Sequence, residues 1–140
     1  MTQDDKQLLL VDLCGRLPYY PKCEMVDELR VVNNEKDSSY ISTLFPKHIE
    51  LFSYHNNFTI KPYLRPMSNM TEEEKETYYN LCHEEEREEL ELGEWVVRIH
   101  YHDTIDSIDY LKSIHIDYRG LISKGLALEA HEGMYELKEK

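Results

Sequence analysis

Two histidines and an aspartate stand close together in the segment HYHD, residues 100–103, and these residue types bind metal ions. If 96–101 forms a strand, His100 and His102 project from the same face, as two ligands of one ion must. A structural zinc ion takes four ligands, and the neighbouring sequence offers no third and fourth ligand at a standard spacing. We therefore expect no metal and no cofactor. A small enzyme or metal-binding protein that uses His100 and His102 is the alternative.

The cysteines Cys14, Cys23 and Cys82 are the next residues that could carry chemistry. Their number is odd, no pair has CxxC spacing, and the cytosol keeps thiols reduced. We interpret all three as small, reduced core residues. A cysteine–histidine nucleophile pair built from Cys14 or Cys82 with His83 would require the fold to unite them.

Motifs of the common enzyme classes are missing from the sequence. It contains no glycine-rich phosphate loop and no GxSxG, HExxH or EF-hand pattern. We therefore predict no catalytic residue and no enzymatic activity.

Two arginines occupy unusual local sequences. Arg65 lies in KPYLRPM between two prolines that restrict the backbone, and Arg119 lies in DYRG next to Tyr118. An arginine in an acidic protein usually forms a structural ion pair, which is the favoured interpretation of both. Alternatively, the two guanidinium groups line one polar recognition surface. The candidate binding residues are then Tyr63, Arg65, Tyr118 and Arg119.

The net charge of −12 is concentrated in one part of the chain. Between Glu72 and Glu94 there are eleven glutamates against Lys75 and Arg87, a balance of −9. Such a field opposes binding to DNA, RNA or an anionic membrane through a basic patch. We expect the partner to be another protein with a basic surface, rather than a nucleic acid or a membrane.

The glutamates of residues 84–91 have two interpretations. Glu84 with Glu88 and Glu85 with Glu89 are like-charge pairs four residues apart, which destabilise a helix. The segment therefore reads as a poorly supported helical extension or a loop, and a solvated tract is the favoured interpretation. The alternative is electrostatic mimicry of a nucleic acid, which requires carboxylates held at fixed spacing.

The amino terminus, MTQDDKQLLLVDL, has acids where a signal peptide carries lysines, and its apolar run is short. No stretch of the sequence approaches the roughly 20 apolar residues of a membrane span. We therefore expect a cytoplasmic protein, and the length of 140 residues favours a single domain over 1–140.

Two segments, IKPYLRPMSNMTEEEKETY and LKSIHIDYRGLISKGLALEAHEGMY, resemble a family of small uncharacterised proteins from Bacteroides-type bacteria, their phages and prophages. The segments cover about a third of the chain. The sequence departs from the family pattern at Tyr110, where tryptophan is common, and at His131, where proline is common. The resemblance carries no activity, but it implies a phage or prophage context, in which small acidic proteins commonly act by binding.

Helix signals are clearest in three places. Residues 2–14 carry a capping threonine, two early aspartates and an apolar face formed by Leu8, Leu9, Val11 and Leu13, before Gly15. Thr71 opens a second helix with a capping box to Glu74. Asp103 or Thr104 caps a third helix that continues to His115 and presents Ile105, Ile108 and Leu111.

Strand signals fill the first half of the chain between these helices. Residues 22–58 predict three or four antiparallel strands, of which 48–54 shows the cleanest alternation. Pro62 and Pro66 predict an edge strand or an extended connector. Residues 95–101 predict a strand that returns to the sheet. Beyond the last helix, Gly120, Gly125 and Gly133 predict turns, with core residues Leu121, Ile122, Leu126 and Leu128.

These elements predict an α+β fold, a small antiparallel sheet with an N-terminal helix and two helices of the C-terminal half packed on it. The leading functional hypothesis is a non-enzymatic acidic binding protein of phage or prophage origin. Such a protein would inhibit or modulate a host nucleic-acid-handling or defence protein. A structural accessory protein is a further alternative.

Overall fold

The fold is α+β, as the sequence predicts, in a computed structural model of the chain. The structure describes the backbone of residues 1–27, 31–32, 35–36, 39–89 and 95–135. Within that backbone, the side chains of residues 31–32, 35–36, 83–89 and 95–102 lie outside the description.

Helix α1, Gln3–Arg16, begins at the predicted residue because Thr2 caps it. The Thr2 hydroxyl accepts a hydrogen bond from the Asp5 backbone N–H at 3.0 Å, and the aspartate side chain returns a bond to the Thr2 backbone. The helix ends at Arg16, one residue beyond the predicted stop at Gly15.

The buried face of α1 differs from the predicted one. Its buried residues follow the i, i+3, i+4, i+7 spacing of one helix face and include two charged side chains: Leu9, Asp12, Leu13 and Arg16. Val11 lies on the opposite face and is 48% exposed, so its prediction as a core residue was wrong. Cys14, three residues further on, is exposed for the same reason, whereas Cys23 and Cys82 are buried as predicted.

A five-stranded mixed sheet forms the centre of the fold. It contains β1 (Lys22–Asp27), β4 (Ser39–Thr43), β5 (Phe58–Pro66), β8 (Ile116–Asp117) and β9 (Leu128–Glu129). Strand β1 pairs antiparallel with β4 and β5, as the sequence predicts for this region, whereas β8 and β9 pair parallel with β5. The short strands β2 (Val31–Val32) and β3 (Glu35–Lys36) form a separate hairpin between β1 and β4.

The prediction that β5 lies at an edge was wrong. The Leu64 carbonyl accepts from the Ala130 N–H at 2.8 Å, and the Arg65 N–H donates to the His115 carbonyl at 2.7 Å. Both groups belong to one trans peptide, so β9 and β8 lie on opposite edges of β5. Pro62 is tolerated because it lies opposite Cys23 in a non-hydrogen-bonded pair: the Cys23 backbone groups point to β4, so the missing Pro62 N–H costs no bond to β1.

Residues 48–54, predicted as a strand, belong to helix α2, Pro46–Tyr54. Pro46 stands in the first turn, where its missing N–H costs no hydrogen bond. The His48 side chain then accepts from the Phe45 N–H at 3.0 Å and caps the helix. His48 and Phe52, four residues apart, form its buried face, so the alternation of Ile49 and Leu51 is not that of a strand.

Helix α3, Glu72–Leu81, begins with the predicted capping box between Thr71 and Glu74. It is followed by β6, His83–Glu89, which pairs antiparallel with β7, Trp95–His102. The glutamate tract up to Glu89 is therefore a strand rather than a helical extension or loop. Strand β7 was predicted correctly, but it pairs with β6 instead of returning to the main sheet.

Helix α4, Ile105–Ser113, is capped by Thr104 and ends two residues before the predicted His115. The Thr104 hydroxyl also donates to the Leu81 carbonyl at 2.7 Å, which fixes the start of α4 against the end of α3. Beyond α4, Leu121 and Leu126 enter the main core with Leu9, Met25, Ile60 and Leu64. The predicted turns at Gly120, Gly125 and Gly133 all have positive φ.

Candidate functional site

The Arg65 guanidinium lies at the end of β5 and faces the first turn of α3. It forms a bidentate pair with Glu74, Nη1 to Oε2 at 2.9 Å and Nη2 to Oε1 at 2.7 Å. The remaining three N–H groups donate to Asn69 Oδ1, the Asn69 carbonyl and the Ile114 carbonyl. Because all five donors of an arginine are used, Arg65 has none left for a partner.

The Glu74 carboxylate both caps α3 and forms the ion pair with Arg65. Its Oε1 accepts from the Thr71 N–H at 2.9 Å in the capping box and also from Arg65. The hydrogen bonds from Arg65 lower the pKa of Glu74, and they outweigh the burial that would raise it. The pair ties the end of β5 to the start of α3.

A second ion-pair group forms around Asp12. Its carboxylate accepts from Arg16 Nε at 2.8 Å and from Arg119 Nε at 3.2 Å. Arg16 and Asp12 are fully buried, and Arg16 Nη2 also donates to the Ile116 carbonyl at 2.8 Å. The Tyr118 ring contacts both guanidinium groups, with its centroid 5.3 Å from Arg16 Cζ and 5.0 Å from Arg119 Cζ. This group fastens α1 to the segment after α4.

The four candidate binding residues thus fall into two places. Tyr118 and Arg119 lie together beside Asp12, whereas Tyr63 and Arg65 lie on β5. Tyr63 is 5% exposed and the Tyr118 hydroxyl is buried, while the Arg119 side chain is 30% exposed. A binding role for the four residues stays a prediction, and Arg119 is the most accessible of the charged groups among them.

A cleft of about 630 Å³ opens beside Arg65, between the end of β5 and residues 129–135. Its lining includes Asn69, Glu129, His131, Glu132 and Tyr135. Since Arg65 is neutralised by Glu74, the acidic side chains Glu129 and Glu132 determine the charge of the opening.

Tyr135, which lines this cleft, contacts His115. Their rings stack with centroids 3.8 Å apart, and the Tyr135 hydroxyl donates to the Tyr63 carbonyl at 2.6 Å. Burial and the nearby Arg16 and Arg65 charges lower the pKa of His115 to about 4. The His115 ring is therefore neutral at pH 7. It stacks on Tyr135 without placing a third positive charge beside Arg16 and Arg65. Neither residue was singled out from the sequence, because nothing local to them indicates the contact.

The exposed surface of α3 is acidic. Glu72, Glu73 and Glu76 are exposed, while Glu74 faces inward to Arg65. Together with Lys75, Tyr79 and Asn80, the three exposed glutamates line a shallow groove of about 450 Å³. Lys75 pairs with Glu72 at 3.3 Å on the surface and offsets only one of these charges. Helix α3 leads within two residues into β6, which carries five more glutamates. We call α3 and β6 together the acidic segment.

His100 and His102 lie on β7, but their side chains are outside the described residues, so their metal-binding role stays untested. Among the side chains that the structure does describe, no three histidine, cysteine or acidic groups cluster as a metal ion requires. Cys14 is exposed on α1 and Cys82 is buried at the end of α3, so the two candidate thiols lie on different elements.

No family model, no curated protein and no solved structure matches this chain. In the described part of the chain, no helix has the length and apolar character needed to cross a membrane.

Proposed function

We propose that the protein is a non-enzymatic binding protein of phage or prophage origin that acts in the bacterial host cytoplasm. Its acidic segment contacts a basic surface on another protein. The observation that carries the proposal is that the glutamates of α3 have two different environments. Glu74 forms an internal ion pair with Arg65, whereas Glu72, Glu73 and Glu76 are exposed to solvent around a groove.

The strand conformation of β6 supports a partner that handles nucleic acid. The sequence argument against mimicry rested on repulsion between glutamates four residues apart in a helix, which does not apply to a paired strand. Alternate residues of a β-strand share a face and lie about 6.8 Å apart, which is close to the roughly 7 Å between neighbouring phosphates of one DNA strand. Pairing with β7 supplies the backbone support that a phosphate mimic requires.

The resemblance to phage and prophage proteins supports the choice of partner class. A host nucleic-acid-handling or defence protein carries the basic surface that an acidic segment fits. Blocking that surface would inhibit or modulate the host protein, and complementary charge would accelerate the encounter of the two proteins.

The test is affinity capture from a host lysate, followed by binding measurements on the captured protein. Three baits are compared: the wild type, E72Q/E73Q/E76Q, and the matched control D4N/E50Q/D106N, which removes three exposed carboxylates elsewhere. We expect the α3 variant to lose most affinity and the control to keep it. We also expect wild-type affinity to fall steeply between about 0.05 and 0.5 M salt. Equal behaviour of the two variants would contradict the proposal.

A second variant, E84Q/E85Q/E88Q/E89Q, separates the two interpretations of β6. No charged residue lies opposite these four in the strand register, so folding should be unchanged. Phosphate mimicry predicts that this variant loses binding and no longer displaces nucleic acid from the captured protein. If the residues only solvate the surface, binding and displacement stay at the wild-type level.

A further inference from the structure

The outer edge of the main sheet is formed by β4, and within the described residues β1 is the only strand that pairs with it. The Leu44 N–H donates to the Pro21 carbonyl at 2.9 Å. In an antiparallel ladder, hydrogen-bonded and non-hydrogen-bonded pairs alternate. The backbone groups of Tyr40 and Ser42 therefore point to β1. Those of the alternate residues, Ser39, Ile41 and Thr43, point away from the sheet.

This edge lacks the features that usually prevent strand pairing. Natural edges are protected by charged side chains, prolines or bulges. No charged residue occurs between Ser38 and Pro46, and β4 contains no proline. The register between β1 and β4 runs through five consecutive pairs without a bulge. Ile41, at the centre of the strand, is 57% exposed.

The pattern of outward groups is symmetric about Ile41. If a two-fold axis passes this residue, Ile41 lies opposite its own copy, and Ser39 lies opposite Thr43. Three outward residues in each strand then supply about six N–H···O bonds. The Thr43 carbonyl already accepts from the Ser42 hydroxyl at 3.0 Å, and its second lone pair remains for the ladder.

The charge distribution favours a second copy of this acidic chain at this edge. Of the net −12, −9 lies between residues 72 and 94, outside β4 and β1. The cross-strand neighbours of Thr43 and Ile41 are Lys22 and Glu24, whose charges cancel. Two copies can therefore meet here without like charges facing each other.

We propose that β4 pairs antiparallel with β4 of a second copy, about a two-fold axis at Ile41, and joins two sheets into one. Full-length protein should sediment as a dimer that dissociates on dilution. The variant Ile41→Lys places two like charges opposite each other and should weaken the dimer at least about tenfold. Its matched control is Ile105→Lys, the same change at an isoleucine that is 83% exposed on α4. A monomer at about 100 µM, or an equal effect of both variants, contradicts the proposal.

Cysteine cross-linking tests the register in a Cys14→Ser background. Opposed residues of a hydrogen-bonded pair have Cα and Cβ atoms about 5.5 Å apart, and an unstrained disulfide needs Cβ atoms about 3.8 Å apart, so the thiols are linked with a short bifunctional maleimide instead of by oxidation. Ile41→Cys should therefore link to itself, and Ser39→Cys should link to Thr43→Cys but not to itself. Failure of Ile41→Cys to link, as expected if β4 instead pairs with a strand of another protein, overturns the proposal. Equal self-linking of Ser39→Cys also overturns it.

Discussion

The Tyr135 hydroxyl lies 2.6 Å from the Tyr63 carbonyl oxygen and accepts a hydrogen bond from the Lys22 N–H at 2.9 Å. The register of β1 and β5 ends with Cys23 opposite Pro62, so Lys22 and Tyr63 form the next pair. The hydroxyl thus bridges two backbone groups where the direct ladder ends. A side chain near the carboxyl-terminal end of the described chain closes the ladder between β1 and β5.

Tyr135→Phe should destabilise the protein by about 0.5–1.5 kcal/mol, because it removes the hydrogen bonds to Lys22 and Tyr63, and water can replace the one at the exposed Lys22 N–H. The stacking on His115 is kept in this variant. Urea unfolding measures the change, and hydrogen exchange should show faster exchange of the Lys22 amide. Tyr54→Phe, at a tyrosine that is 80% exposed, is the control and should change stability by less than about 0.5 kcal/mol.

His115 should make stability depend on pH. Its pKa is about 4 in the folded protein, below the ordinary value of 6.5, because burial disfavours the charged ring. The unfolded chain therefore binds more protons between these values, and stability falls as the pH decreases from 6.5 to 4. The full loss is on the order of 3 kcal/mol.

The contribution of His115 is measured by comparing the wild type with His115→Asn in urea unfolding between pH 4 and 7. Asparagine does not titrate, and it tolerates the left-handed backbone of this position, where φ is 63°. The variant should show a smaller decrease of stability over this range. The exposed His55→Asn should keep the wild-type pH dependence. Parallel curves for the wild type and His115→Asn would refute the assignment.

The Asp12 carboxylate accepts hydrogen bonds from two arginines. Asp12→Asn should therefore lower the free energy of unfolding by about 3–5 kcal/mol, because the buried Arg16 charge loses its counterion. Asp4→Asn, in the exposed first turn of the same helix, should cost less than about 1 kcal/mol. Thermal and urea unfolding of both variants provide the comparison. A similar loss of stability in both variants would show that Asp12 stabilises α1 only as an acidic residue of the helix, without a contribution from Arg16 and Arg119.

The three helices predicted correctly share a signal that is contained in a few residues. Thr2, Thr71 and Thr104 each accept from a backbone N–H three residues later, and such a cap can be read without knowing the fold. Helix α2 was missed because it is capped by a histidine, and because Ile49 and Leu51 imitate strand alternation. Helix starts can therefore be predicted from sequence where the capping hydrogen bond joins residues that are close along the chain.

The site was less predictable because its contacts are distant in sequence. Asp12 pairs with Arg119 and Tyr135 with Tyr63, and no local pattern indicates either contact. Asp12 and Arg16 stood in the apolar pattern of α1 at the correct spacing, but charged residues are rarely fully buried. Strand β6 was missed because glutamate is disfavoured in strands, and its pairing with β7 is a tertiary effect.

The thiols should differ in reactivity. Burial raises the pKa of Cys23 to about 12, so little thiolate forms at pH 8. Cys14 is exposed and should be labelled first by a maleimide or a disulfide reagent. Mass spectrometry of digested samples after short labelling gives the order. Rapid modification of Cys23 in the folded protein would contradict its burial.

Arg65 and Glu74 give the most specific test of a structural role at the cleft. Arg65→Lys keeps the charge but replaces a planar fork of five donors with three donors at one point. It cannot satisfy Glu74, Asn69 and the Ile114 carbonyl together, and should cost about 2–4 kcal/mol. Glu74→Gln keeps an oxygen for the Thr71 N–H but removes the charge, and should cost a similar amount.

A double-mutant cycle separates the pair from the individual residues. If the energy belongs to the ion pair, the combined variant Arg65→Lys with Glu74→Gln costs less than the sum of the single changes. The control Glu73→Gln, one position earlier and exposed, should change stability by less than about 0.5 kcal/mol. Additive losses would mean that Arg65 and Glu74 act separately. Because the Arg65 donors are already occupied, the single variants should reduce binding of the captured partner only as far as they unfold the protein.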